Sequence, residues 1–152
     1  MKVALDAMGG DSAPSVNIGG AIDALRLYPR LEHLFLVGDE GLLRREAARQ
    51  GLDLADRRVS IVHASEVIGM SEPGAKAVRK KKDSSISVAM DMVKNGKADA
   101  FVSAGNTGAA VAAATLKLRT LPGVDRAGIA TAIPNEYGLC HILDAGANPE
   151  AK

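Results

Sequence analysis

The sequence contains no tryptophan and only two tyrosines and two phenylalanines, so it lacks the aromatic platforms on which single-stranded bases stack. It also lacks an excess of either charge: 19 Lys and Arg stand against 18 Asp and Glu, for a formal net charge of +1. Without a positive field to displace the counterions of a phosphate backbone, nucleic acid is not an expected partner. A single cysteine, Cys140, excludes an internal disulfide and suits a reducing compartment. Its place within an apolar strand pattern predicts a buried thiol. No apolar run approaches the about 20 residues that cross a bilayer, and Met1 leads into a strand pattern with no signal-peptide layout. The expectation is a soluble, cytoplasmic protein.

What is present is a substantial apolar fraction, 47% of 152 residues, enough for one domain with its own core and too little for two. We expect a single α/β domain over residues 1–152. Val3-Ala4-Leu5 reads as a first strand, followed by a Gly-, Asp-, Ser- and Pro-rich loop over residues 9–14. Ile18, Ala21, Ile22 and Leu25 recur at helical spacing until Pro29 ends the pattern. Strands are predicted over 34–37 and 59–63, with a helix over 42–50 between them. Residues 64–82 read as a long polar connection that carries Pro73, Gly74 and the basic run Arg79-Lys80-Lys81-Lys82. Asp83, Ser84 and Ser85 are capping candidates for a helix with Ile86, Ala89, Met90 and Val93 on one face and Gly96 as its stop. A strand over 98–102, a helix over 107–118 and two closing strands over 127–133 and 139–143 complete the chain. Such alternation implies a three-layer fold, a mainly parallel sheet with helices on both faces, joined by right-handed crossovers.

Ligands of such sheets collect at the carboxyl ends of the strands, here Asp6, Asp39, His63, Ser103 and Asp144. Ser103-Ala104-Gly105-Asn106-Thr107-Gly108 joins a strand to an alanine-rich helix. In a turn of this kind the free N–H groups of the first helical turn attract an anion and glycines allow close approach; small residues there also serve packing alone. Asp6 with Gly9, Gly10 and Asp11 forms one acidic, glycine-rich loop, and Asp144 with Gly146 and Asn148 a second. The same oxygen-rich edge suits Mg²⁺, although no tight acidic cluster stands behind it. His33, His63 and His141 have neither metal spacing nor a Ser-His-Asp order, which argues against zinc and serine-hydrolase chemistry. No metal is expected. The basic run offers a grip for a phosphate or an acidic partner, or simply a solvated face.

The segment Leu5-Asp6-Ala7-Met8-Gly9-Gly10-Asp11 with Ala13-Pro14, residues 79–85, residues 96–108 and Leu143-Asp144-Ala145-Gly146-Ala147-Asn148 together resemble the bacterial phosphate acyltransferase family called PlsX. Leu36-Val37-Gly38-Asp39, Glu66-Val67-Ile68 before Glu72-Pro73, and Leu121-Pro122-Gly123-Val124-Asp125-Arg126 extend the likeness in the same order over nearly the whole chain. The resemblance implies transfer of a fatty acyl group from acyl-acyl carrier protein to inorganic phosphate, giving an acyl phosphate for phospholipid synthesis, without an organic cofactor. It also implies a fold similar to isocitrate and isopropylmalate dehydrogenases, a homodimer, and peripheral association with the membrane.

On that reading Asn106, Asp144 and Asn148 are catalytic candidates. Asp6, Gly9, Gly10, Asp11, Arg79, Lys82, Ser84, Ser85, Ser103, Gly105, Thr107 and Gly108 are candidates for binding substrate or phosphate. Members of the family continue for a distance comparable to this whole chain, so the expectation is a truncated form whose remaining sheet, second half-site and dimer interface are missing. Two alternatives stay open: a non-catalytic fragment that binds phosphate or carrier protein, and a relative of phosphate acetyltransferases or dehydrogenases. The lack of a full G-x-G-x-x-G turn with a ribose-binding acid argues against a nicotinamide cofactor.

Overall fold

Four short strands, β1 (Lys2–Asp6), β2 (His33–Gly38), β3 (Val59–His63) and β4 (Ala100–Ser103), form one parallel sheet in the order β3-β2-β1-β4. Their composition explains the arrangement: the apolar runs of β1 and β2 are covered from both sides, as parallel strands require. On one face lie α1 (Ser15–Leu27) and α2 (Glu40–Gln50), whose Ile18, Ala21, Leu25, Leu43 and Ala47 enclose a core with Val3, Leu34, Leu36 and Val59. On the other face α4 (Ser85–Lys94) buries Ala89 and Met92 against Ala4, Val37 and Ala98. Around it, α3 (Gly74–Lys80) and α5 (Thr107–Lys117) add a third cluster through Ala77, Val78, Ile86, Met90, Ala109 and Ala113. The computed structural model describes residues 1–144, and the three-layer α/β arrangement with a mainly parallel sheet is present in it.

Helix ends follow the local chemistry. Asp39 caps α2 by accepting from the Leu42 N–H at 2.7 Å, and Gly51 ends that helix with φ 74°. Ser84 caps α4 by accepting from the Ser87 N–H at 3.3 Å. Gly96 follows at φ 68°, in agreement with its reading as a stop. The segment expected to be a polar connection over 64–82 contains α3, a correction. A seven-residue helix that begins after Pro73 and buries only Ala77 and Val78 leaves too short a pattern to read.

The chain divides into two compact units, Met1–Arg119 and Thr120–Lys152, and the second is described by itself. There β5 (Ala130–Asn135) and β6 (Gly138–Leu143) pair with each other antiparallel as a two-stranded hairpin. The Asn135 carboxamide oxygen accepts from the Tyr137 N–H at 2.8 Å to close the turn. The expected closing strands are thus strands, but they do not join the parallel sheet. All twelve of their residues are exposed, and so is Cys140. The expectation of a buried thiol is corrected for that reason: no layer of described residues covers β6.

Candidate active site

The helix that follows β1, α1, packs on one face of the sheet and the helix that follows β4, α5, on the other, so the crevice between the ends of β1 and β4 is the topological switch point. Asp6 ends β1 opposite Ser103, which ends β4. The Ser103 hydroxyl donates to Asp6 Oδ2 at 2.7 Å and accepts from the Gly105 N–H at 3.0 Å, while Asp6 Oδ1 accepts from the Met8 N–H at 3.2 Å. Asp6 is wholly buried, so this carboxyl acts as the joint between the two loops. The joint demands glycine on both sides. A Cβ at Gly9 would stand 2.3 Å from Asp6 Oδ2 and 2.8 Å from the Gly105 nitrogen, and one at Gly105 would meet the Gly9 Cα at 3.0 Å. Gly10 adds a backbone reason, a φ of 106°.

Two asparagines pin the loops from outside. The Asn17 amide lies within donating distance of three carbonyls, Asp6 at 3.4 Å, Ala7 at 3.0 Å and Gly9 at 2.9 Å. Sequence reasoning passed over Asn17. Its signal is a carboxamide in the first turn of a helix just after a glycine-rich loop. Asn106 does the same work across the chain: its amide faces the carbonyls of Gly69 at 3.0 Å, Met70 at 3.2 Å and Glu72 at 2.8 Å, and its Oδ1 caps α5 by accepting from the Ala109 N–H at 2.9 Å. With both amide hydrogens committed to carbonyls, the Asn106 side chain holds the turn and has no donor left to aim outward. The donors that remain at the head of α5 are the N–H groups of Thr107 and Gly108, which have no hydrogen-bond partner among the described residues and belong to exposed residues.

The other candidates are spread more widely. Gly108 lies in van der Waals contact with Gly74, where a Cβ on Gly74 would fall 2.3 Å from the Ala109 nitrogen, so small residues there let α3 pack against α5. Asp11, Arg79 and Lys82 are exposed. Lys81, between the last two, is committed to Glu72 Oε1 at 2.6 Å and the Val67 carbonyl at 2.7 Å. Its ammonium, with the Gly69 N–H, holds the Glu72 carboxyl below the usual carboxylate value. Ser84 serves the start of α4, as its reading as a capping candidate anticipates. Ser84 and Ser85 are both buried, and the Ser84 hydroxyl donates to the Lys81 carbonyl at 2.9 Å while capping α4. Asp39 and His63, two of the five strand-end residues, likewise serve the start of α2, His63 Nδ1 accepting from the Glu40 N–H at 3.3 Å.

Asp144 lies in the second unit with φ 54°. Its Oδ1 accepts from the Ile129 N–H at 2.7 Å, and its carboxylate faces Arg126 at 3.9 Å. Asn148 lies outside the described residues. Among the described residues no group of three His, Cys, Asp or Glu is placed to hold a metal, and no helix is long and apolar enough to cross a membrane.

A mainly parallel sheet with helices on both faces makes this a protein of the three-layer α/β class. Comparison with known proteins narrows this. A model of the family described as "Fatty acid synthesis protein" matches residues 1–152, and the chain belongs to that family. It is 59% identical over its whole length to a phosphate acyltransferase of Akkermansia muciniphila and 53% identical to one of Pelotomaculum thermopropionicum; with one of Halorhodospira halophila it shares 51% identity over 97% of its length. In each case the chain spans about 43% of the length of the relative.

Proposed function

We propose that this chain carries part of the active site of a phosphate acyltransferase that moves a fatty acyl group from acyl-acyl carrier protein onto inorganic phosphate, forming acyl phosphate for phospholipid synthesis. The observation that carries the reading is the pair of free N–H groups at Thr107 and Gly108, fixed at the switch point of a chain similar throughout to proteins named phosphate acyltransferase.

In this reading the α5 N-terminus binds phosphate and orients one of its oxygens toward the thioester carbonyl. The attack forms a C–O bond and a tetrahedral oxyanion; collapse breaks the C–S bond, and the carrier's thiolate leaves and takes up a proton. No enzyme nucleophile is needed, and the rate advantage comes from orientation and from donors aimed at the developing charge. Asn106 contributes by holding the turn. Asp6, Ser103, Gly9, Gly10 and Gly105 shape the floor, Asp11, Asp144 and Asn148 are orienting groups, and Ser84 and Ser85 act through the start of α4. Arg79 and Lys82, exposed and cationic, receive the acidic carrier protein. The complete enzyme is read as a cytoplasmic homodimer, peripheral at the membrane, with a sheet of the isocitrate and isopropylmalate dehydrogenase kind and no cofactor.

The test follows phosphate-dependent release of free carrier protein from long-chain acyl-acyl carrier protein. Thr107→Pro is the informative variant. Thr107 is the first helical residue, where proline is tolerated, and Asn106 before it already has the extended backbone that precedes proline. Folding should be unchanged while loss of one donor lowers turnover about tenfold or more. An unaltered rate in the folded variant would refute the assignment of the α5 N-terminus.

A further inference from the structure

The basic run Arg79-Lys80-Lys81-Lys82 divides in two. Arg79, Lys80 and Lys82 are exposed, whereas Lys81 turns inward and its ammonium donates to the Val67 carbonyl at 2.7 Å and to Glu72 Oε1 at 2.6 Å. The same carboxylate oxygen accepts from the Gly69 N–H at 2.6 Å. These bonds close residues 67–72 into a loop that presents the carbonyls of Gly69, Met70 and Glu72 to the Asn106 amide. Lys81 is held as firmly through its backbone. Its N–H donates to the Ala77 carbonyl at 2.7 Å at the end of α3, and its carbonyl accepts from the hydroxyls of Ser84 at 2.9 Å and Ser87 at 3.2 Å. Both serines are wholly buried at the start of α4, so the end of α3, the start of α4 and the 67–72 loop meet at one residue.

We propose that Lys81 is a positioning residue for the anion site at the head of α5. The line of bonds is continuous: Lys81 fixes Glu72 and Val67, the loop between them receives the Asn106 amide, and Asn106 Oδ1 holds the Ala109 N–H inside the helix. Thr107 and Gly108 lie between those two fixed points, so the direction of their N–H groups follows the loop. Hydrogen bonds weaken steeply as donor and acceptor leave alignment, and a charge-assisted pair resists displacement more than a neutral contact does. The Glu72 carboxyl, held below its ordinary value by this pair, is ionised at neutral pH and keeps the bond in place. A role as a direct phosphate ligand fits less well, since two of the three ammonium hydrogens are committed to the loop. The inference rests on the reading of the α5 N-terminus as the phosphate site and goes beyond it by naming the residue that orients the donors.

Inorganic phosphate is titrated into the isotope-labelled chain and the amide resonances of Thr107 and Gly108 are followed, with folding of each variant checked by its melting curve. Lys81→Met should weaken phosphate binding about fivefold or more, and Lys81→Arg should restore most of the loss. Lys80→Met removes the same charge from an exposed neighbour that also lies within electrostatic range of Glu72, and should leave the affinity close to that of the parent. Glu72→Gln keeps the shape of the side chain and an acceptor for the Gly69 N–H, and so covers the case in which Lys81→Met does not fold. Its sign is decisive: removal of a negative charge near an anion site strengthens binding by simple electrostatics, whereas loss of the tie to Lys81 weakens it. Parent-like affinity in folded Lys81→Met would overturn the proposal. Unchanged or tighter binding in Glu72→Gln would do the same, the tighter result making Lys81 a direct ligand of the anion, and equal weakening in Lys80→Met would reduce Lys81 to one charge of a basic run. A parent chain with no phosphate-dependent shift at Thr107 and Gly108 would refute the anion site itself and the inference with it, a result distinct from any in which the parent binds.

Discussion

Leu36 in β2 and Leu139 in β6 occupy strands of the same length and similar composition, yet Leu36 is wholly buried and Leu139 is 64% exposed. The difference lies in what surrounds each strand. β2 sits between β1 and β3 with helices on both faces, whereas β6 has one antiparallel neighbour and no covering layer among the described residues. Strand propensity is common to both. Burial comes from partners, and a two-stranded ribbon supplies too few of them to be independently stable.

The comparison is broken most directly by Leu36→Ala, expected to cost about 2–5 kcal/mol in chemical denaturation through lost burial and the cavity left behind. Leu139→Ala should stay within about 0.5 kcal/mol. Similar costs for the two would mean that the hairpin is covered after all. Next in size is Asp6→Ala, which strands the Ser103 hydroxyl and the Met8 N–H inside the loop joint and should cost about 1–3 kcal/mol; a loss much below that range would remove Asp6 from the role of joint. Asn106→Ala removes the α5 cap and the tie to the loop over 69–72 and is expected to cost about 0.5–2 kcal/mol. Its signature is faster hydrogen exchange at Gly69 and Ala109, and unchanged exchange there would show that the tie is idle.

The smallest effect is titration. The Glu46 carboxyl, hydrogen-bonded to Arg49 and Gln50, is held at about 2, against its ordinary 4.5. A depressed carboxylate adds stability that is fully present above its ordinary value and is lost as the pH falls through its folded value. Denaturation midpoints should therefore decline from pH 4.5 toward 2, and Glu46→Gln should flatten that decline. Glu72, lowered by Lys81, and Asp83, lowered by the Ser65 hydroxyl and N–H, act in the same direction. Midpoints in Glu46→Gln that follow those of the parent through this window would dismiss the Glu46 contribution.

Much of the site was legible because its signals are local. Asp6 and Ser103 each end an apolar run, Gly10 marks a positive φ, and Ser84 stands where a cap belongs. Asn106 was legible as a residue of the turn but not in its use: its amide meets carbonyls more than 30 residues earlier in the chain, and no spacing rule reveals so distant a partner. The same holds for Lys81, whose ammonium is spent on Glu72 while its neighbours stay exposed.

By itself the sequence determined the order of strands and helices in the first unit apart from α3, the cap at Ser84, and the glycine turns. Those depend on periodicity, side-chain oxygens and backbone freedom within a few residues. Tertiary structure decided that β1 and β4 are neighbours, that Gly9 packs against Gly105, that Asn106 faces inward, and that β5 and β6 pair with each other. Each of these is a contact between distant parts of the chain, settled by which apolar faces find cover and which buried polar groups find partners.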